Sequence, residues 1–145
     1  MKIRLVDALG LAIGATVPTL AQEQNAVDPQ VRQQIEAVFM KFGVAFNKHD
    51  AAAITALYTQ DAVQWWSFSS EGAVASGQQA IEKRYTGHFA SSPGEFVGQL
   101  VQVYAIGNEM SVIAEKSHGF FGKGYMTWIC FPDGDSWNIR MEYVN

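Results

Sequence analysis

The hydrophobic period of the sequence changes from mainly helical to strand-like near Pro93, and this change constrains the fold more than any other feature. Before it, apolar residues recur every three or four positions, as in amphipathic helices. After it, stretches rich in Val, Ile, Tyr, Phe and Trp alternate with turn residues, as in strands. Helices followed by a meander of strands indicate an α+β domain with a mainly antiparallel sheet. At 145 residues and 48% hydrophobic content, the chain can bury a core of its own.

Three helices are predicted in the first two thirds of the chain. Asp28 followed by Pro29 is typical of a helix start, and apolar residues then follow at helical spacing. Asp50 is expected to cap a second helix that runs through Tyr58, and Ser76 is expected to cap a third. Strands are expected at residues 62–66, 96–106, 110–120, 125–131 and 136–144, with residues 67–75 as a loop.

The first 21 residues differ from the rest of the chain. Lys2 and Arg4 precede a short apolar run that ends in small residues, which predicts a signal peptide over residues 1–21. The alternative is an N-terminal helix of the domain, and Asp7 at the edge of the apolar run favours it. With a signal peptide, the folded domain is residues 27–145 and the protein is periplasmic or secreted.

Charge and motif content exclude several classes of partner. The net charge of −4 comes without a basic patch, so neither nucleic acid nor an anionic membrane surface is an expected partner after export. No HxH or HxxxH pair, only one cysteine and no phosphate-binding glycine loop occur, so neither a metal nor a cofactor is expected. The single cysteine, Cys130, excludes an intrachain disulfide and is expected to be buried.

The run from Phe42 to Tyr85 combines a helix end, an Asn-Lys-His-Asp turn, a short helix, an acidic turn into an apolar strand and a capped helix. This order resembles the nuclear transport factor 2-like superfamily, closest in style to its SnoaL-like and ketosteroid-isomerase-like bacterial members. The resemblance implies a cone-shaped α+β domain in which three N-terminal helices pack on a strongly curved, mainly antiparallel sheet. It further implies a cavity at the open end of the cone and a homodimer formed by the other sheet face.

The catalytic residues of ketosteroid isomerases do not carry over to this sequence. Those enzymes use an Asp base and an oxyanion hole made of a Tyr and a protonated Asp. The matching positions here are Trp66 for the base, Phe42 for the oxyanion Tyr, and a position near Thr127 for the second Asp. None of the three residues supplies the required group, so the catalytic residues remain unknown.

The resemblance therefore implies a binding protein whose cavity holds a small apolar or aromatic organic molecule. The expected ligand-binding residues are Phe42, Phe46, Trp66, Tyr85, His88 and Thr127. The alternative is an isomerase, cyclase or dehydratase that uses a different acid or base, such as His88 or Glu142.

Strand alternation makes two further predictions about orientation. Trp65 and Trp66 are adjacent in a strand, so they are expected to point to opposite faces. Arg140 and Glu142 share a face opposite their apolar neighbours and are expected to form a solvated or interfacial pair. A β-bulge that shifts the register by one residue would turn them inward and make Glu142 a candidate acid or base.

Overall fold

The computed structural model describes residues 27–69, 73–92, 94–118 and 122–145. The signal peptide predicted for residues 1–21 therefore lies outside the described residues. Within the described ranges, no helix is both long enough and apolar enough to cross a membrane.

The described residues form three helices that precede most of the strands. They are α1 (Pro29–Asn47), α2 (Ala51–Thr55) and α3 (Gln78–Ser91). Asp28 caps α1, as predicted, and its Oδ1 accepts the Gln30 N–H at 2.7 Å. Asp50 caps α2 by accepting the Ala53 N–H at 2.9 Å. The cap of α3 is Gly77 rather than Ser76, because the backbone there has a φ of +82°, a conformation that glycine adopts without strain.

Six strands in the described part of the chain make one sheet. They are β1 (Tyr58–Trp66), β2 (Val74–Ser76), β3 (Phe96–Ile106), β4 (Glu109–His118), β5 (Gly122–Asp133) and β6 (Ser136–Val144). Their order is β2-β1-β6-β5-β4-β3, in which β1 and β6 are parallel and all other neighbours are antiparallel. The predicted α+β class, with helices packed on a mainly antiparallel sheet, is confirmed.

The first strand begins earlier than the sequence predicts. The second helix ends at Thr55, and Tyr58 already pairs with Ile139 of β6. The Ile139 N–H also donates to the Leu57 carbonyl at 2.8 Å. Pairing with β6 therefore competes successfully with one further helical turn. The predicted loop at residues 67–75 likewise gives way to β2 at its end, where Val74 pairs with β1.

The apolar face of α1 fills the space between the helices and the sheet. Its six buried residues are Ile35, Val38, Phe39, Phe42, Ala45 and Phe46. At the end of α1, Asn47 Oδ1 accepts the Phe96 N–H at 2.6 Å, and Asn47 Nδ2 donates to the Phe96 carbonyl at 3.1 Å. These bonds fix the start of β3 against the helix, so the rings of Phe42, Phe46 and Phe96 lie together.

Candidate functional site

A β-bulge in β6 decides which side chains of the last strand enter the core. Ile139 pairs with Cys130 and Met141 pairs with Ile129, so Arg140 is one residue more than β5 can match. Ile139 points inward before the bulge and Glu142 points inward after it, and both side chains are fully buried. The inward-pointing residues of β6 are therefore odd-numbered before the bulge and even-numbered after it.

The expected solvated pair of Arg140 and Glu142 is therefore wrong for this chain. The bulge buries Glu142, whereas Arg140 stays exposed and lies 3.1 Å from Asp61 Oδ2. The Arg140 guanidinium also lies over the ring of Phe131, at 4.6 Å from its centroid. Two side chains that strict alternation would place together thus have opposite environments.

Glu142 accepts five hydrogen bonds, and we call it and its five donor residues the Glu142 cluster. The donors to Oε1 are Gln64 Nε2 at 2.8 Å, Trp66 Nε1 at 3.1 Å and Tyr85 Oη at 3.3 Å, and the donors to Oε2 are Tyr58 Oη at 2.5 Å and Trp128 Nε1 at 2.8 Å. Indole and amide N–H groups only donate, so both oxygens of Glu142 act as acceptors. This pattern is complementary to a carboxylate, which offers about four lone pairs and no proton.

The two tyrosines of the Glu142 cluster are held in their protonated form. Burial raises the pKa of Tyr58 well above its ordinary value of 10.0, and the nearby charge of Glu142 adds to this effect. Burial and then Glu142 raise the pKa of Tyr85 in the same direction. Their hydroxyls lie 3.2 Å apart and both donate toward the carboxylate at neutral pH.

These raised pKa values predict a loss of stability in alkali. A tyrosine whose pKa is higher in the folded state contributes fully below pH 10, and its contribution falls as the pH rises above 10 and the unfolded chain ionises. Cys130 acts in the same direction from pH 9, because burial raises the pKa of its thiol to about 12. Each group contributes about 1.4 kcal/mol per pH unit to the free energy of unfolding.

Urea unfolding at pH 8, 10 and 11 measures this dependence. Tyr85→Phe keeps the ring and removes the titrating hydroxyl, so the slope of stability against pH above 10 should become shallower than in the wild type. Cys130→Ala should reduce the slope that begins at pH 9. An unchanged slope in both variants would contradict the assignment.

An aromatic cavity lies beside the Glu142 cluster, between α1, α3 and the inner face of the sheet. Its walls are mainly rings, namely Phe42, Phe46, Trp66, Phe68, Tyr85 and Phe96. His88 and Glu142 are the polar residues at its edge. The free volume is about 40 Å³, enough for roughly three water molecules.

Five of the six predicted ligand-binding residues line this aromatic cavity: Phe42, Phe46, Trp66, Tyr85 and His88. Thr127 does not, because its neighbours Met126 and Trp128 occupy the inward positions of β5. Whether the five bind a ligand remains a prediction.

Trp65 and Trp66 point to opposite faces of the sheet, as strand alternation predicts. Trp66 is buried, and its ring lies 5.3 Å from that of Tyr85. Trp65 is 51% exposed and contacts Tyr143 on the outer face. The indole N–H of Trp66 donates to Glu142 Oε1 at 3.1 Å.

His88 lies in the last turn of α3 at the edge of the aromatic cavity. Its ring centroid is 5.3 Å from that of Trp66 and 5.8 Å from that of Phe46. The side chain is half-buried. The imidazole of His88 therefore lies where it could contact a ligand in the cavity.

Most of the Glu142 cluster was not predicted from the sequence. The sequence predicts a helix through Tyr58, and it does not mark Gln64 or Trp128 as site residues. The sequence does contain one signal. Ala62, Gln64 and Trp66 alternate along the strand, so the polar amide of Gln64 must lie on the same face as two apolar residues. A buried amide requires partners, and that requirement points to a polar group on the neighbouring strand.

In the described residues, no group of three or more His, Cys, Asp or Glu side chains is placed to hold a metal ion. Glu142 is surrounded by tyrosine, tryptophan and glutamine donors, which are not the ligands that common metals prefer.

The sequence matches no protein-family model and no curated protein. Its structure is similar to a domain of unknown function with a cystatin-like fold from Nostoc punctiforme, with a TM-score of 0.70 and 12% identity over 82% of this chain and 78% of that one. It is also similar to a nuclear transport factor 2-like protein of unknown function from Pseudomonas putida, with a TM-score of 0.68 and 18% identity over 83% and 89% of the two chains.

A third similar structure is a ketosteroid isomerase-like protein from Erwinia carotovora, with a TM-score of 0.61 and 17% identity over 81% of this chain and 96% of that one. At these identities the likeness concerns the backbone and not the residues of the site. The chain therefore has the nuclear transport factor 2-like fold, with the Glu142 cluster beside an aromatic cavity.

Proposed function

We propose that this protein binds a small, mainly apolar organic molecule in the aromatic cavity. The supporting observation is a free space whose walls are aromatic rings. The Glu142 cluster lies beside it, and the hydrogen bonds of Glu142 are formed within that cluster. Small-molecule sites have this composition, with apolar walls and a few polar groups.

The size of the aromatic cavity limits the ligand. Sites for drug-sized ligands have volumes of about 300–1,000 Å³, whereas this cavity offers about 40 Å³. A ligand with only a few non-hydrogen atoms fits without movement of the walls. A steroid does not.

The alternative of an isomerase, cyclase or dehydratase receives less support from the geometry. Glu142 accepts five hydrogen bonds, so its lone pairs are already engaged and a substrate proton would have to displace a donor. Phe42 and Trp66 occupy the relatives' catalytic positions without supplying a hydroxyl or a carboxylate. For this alternative, His88 is the remaining candidate for a general acid or base.

A ligand-sized probe tests the binding proposal. Benzene is expected to raise the melting temperature of the wild type in a concentration-dependent manner, because a ligand that binds only the folded state stabilises it. Native mass spectrometry of protein purified from its host should in addition show a small retained mass. Absence of both effects would contradict the proposal.

A matched pair of variants locates the bound probe. Val144 lines the aromatic cavity and is buried, so Val144→Phe should place a ring in the free space and remove the benzene effect. Val97 is 60% exposed on β3, so Val97→Phe should leave the effect intact. Equal benzene responses in the two variants would place the probe elsewhere.

We also propose that the outer face of the sheet joins two copies of the chain. Trp65, Tyr125, Met141 and Tyr143 are each more than 40% exposed, and large exposed apolar side chains at neighbouring positions are typical of interfaces. Sedimentation at micromolar concentration should give a dimer, and Trp65→Glu should shift it toward monomer. A stable wild-type monomer would refute this.

A further inference from the structure

Glu142 is a fully buried acid without a cationic partner among the described residues. The ion pairs in this part of the structure join Arg32 with Glu36 and Arg140 with Asp61, both at the surface. Arg84 of α3 donates to the backbone carbonyls of Gln64 and Ala73. The hydrogen bonds solvate the charge of Glu142 but do not neutralise it.

The Glu142 cluster also contains more acceptors than its donors satisfy. Gln64 uses its amide nitrogen on Glu142, while its Oε1 is buried and has no hydrogen-bond partner in the described residues. Unsatisfied buried acceptors are uncommon in proteins, and each one calls for an explanation. A negative charge and a carbonyl oxygen without a donor both favour a positively charged neighbour.

The walls of the aromatic cavity narrow the choice of neighbour. An anion would be repelled by Glu142, and a neutral polar molecule would lose its water without gaining hydrogen bonds, because the walls are almost entirely apolar. Six aromatic rings line the cavity, and an aromatic ring attracts cations that lie over its face within about 6 Å of the ring centroid. Arg84 already lies over the ring of Trp66, with its guanidinium carbon 5.4 Å from the ring centroid. An alkylated ammonium group needs no hydrogen-bond acceptor and fits such walls.

We propose that the ligand of the aromatic cavity is a small organic cation, an alkylated ammonium group that the aromatic rings enclose and the buried Glu142 carboxylate attracts. This inference rests on the proposed binding function and adds the chemical class of the ligand. The free volume of about 40 Å³, room for roughly three water molecules, admits at most the head group of such a cation.

The test compares two molecules of equal shape and different charge. Choline and 3,3-dimethylbutan-1-ol differ only in the replacement of the quaternary nitrogen by carbon. Isothermal titration of the wild type at pH 8 and constant ionic strength should give a dissociation constant for choline at least tenfold lower than that for the alcohol. Sodium chloride titrated at the same concentrations serves as the control for a general salt effect.

The outcomes separate the two proposals. If the alcohol binds as tightly as choline or more tightly, the cavity recognises shape and not charge, and the cation inference is overturned. If neither molecule binds while benzene still raises the melting temperature, the cation inference is overturned and the binding function stands. If none of the three binds, both proposals are overturned.

A pair of variants tests whether an aromatic ring contributes to the selectivity. Phe68 lines the aromatic cavity, stacks on Trp66 and is 37% exposed, so Phe68→Leu removes a ring without opening the core. It should weaken choline binding at least threefold and leave the alcohol unchanged. Phe131→Leu removes a ring that does not line the cavity and that contacts Arg140, and it should change neither constant. Equal weakening of both molecules by Phe68→Leu would overturn the role of the rings.

Discussion

Glu142→Ala is expected to lower the free energy of unfolding by about 3–5 kcal/mol, because five buried donors lose their common acceptor. Water entering the vacated space would satisfy some of these donors, which keeps the loss below the sum of five separate penalties. Small domains have stabilities of about 5–15 kcal/mol, so a loss of this size leaves the fold marginal. Urea unfolding at pH 7 measures it.

Two further variants serve as controls for the Glu142→Ala measurement. Glu142→Gln keeps the shape but turns an amide nitrogen, which has no free lone pair, toward two donors, so it should cost about 2–3 kcal/mol. Glu36→Ala breaks only an exposed ion pair with Arg32 and should change stability by less than about 0.5 kcal/mol. A loss below 1 kcal/mol for Glu142→Ala would show that the cluster does not stabilise the fold.

Phe42→Ala is expected to cost about 3–5 kcal/mol, the range for truncation of a buried aromatic side chain. The ring of Phe42 is almost fully buried and contacts four others, those of Phe46, Tyr85, Phe96 and Trp128, with centroids 5.2–6.2 Å apart. Its removal takes an edge-to-face partner from several of these rings at once.

Although Phe42→Ala should lower stability, it should increase the affinity for a small apolar ligand. Phe42 lines the aromatic cavity, so Phe42→Ala adds its volume to the existing 40 Å³ and should increase the affinity for benzene. Met40 on the same helix is 69% exposed, and Met40→Ala should alter neither stability nor binding. A destabilised Phe42→Ala with unchanged benzene affinity would assign Phe42 to the core alone.

Local patterns were sufficient to predict the helices and the strand-rich half. Asp28 and Asp50 cap helices as expected, and the apolar face of α1 is the buried one, because capping and helical spacing depend on residues close in sequence. The end of α2 and the start of β1 were predicted less well, since Tyr58 takes its conformation from a strand that lies about 80 residues later. Pairing between distant segments overrides local propensity here.

The candidate site shows the same division more sharply. The aromatic rings of the cavity were expected from helical periodicity and from the resemblance, and most of them lie where they were expected. An inward Glu142 was expected only if a β-bulge shifted the register, and its five donors were not expected as a group, because the cluster depends on one bulged residue, Arg140, that alternation alone does not reveal. The sequence around Arg140 contains neither glycine nor proline to mark the irregularity.

The bulge at Arg140 has a consequence for how this strand is aligned with other proteins of the same fold. Before Arg140 the odd-numbered residues of β6 point inward, and after it the even-numbered residues do. An ungapped alignment with a last strand that has no bulge is therefore correct only before Arg140 or only after it. On the other side it would match Glu142 to a surface residue and Met141 or Tyr143 to a core residue. Placing a one-residue gap at Arg140 restores the match, and the counterpart of Glu142 in any such relative is then the second residue after the one aligned with Ile139.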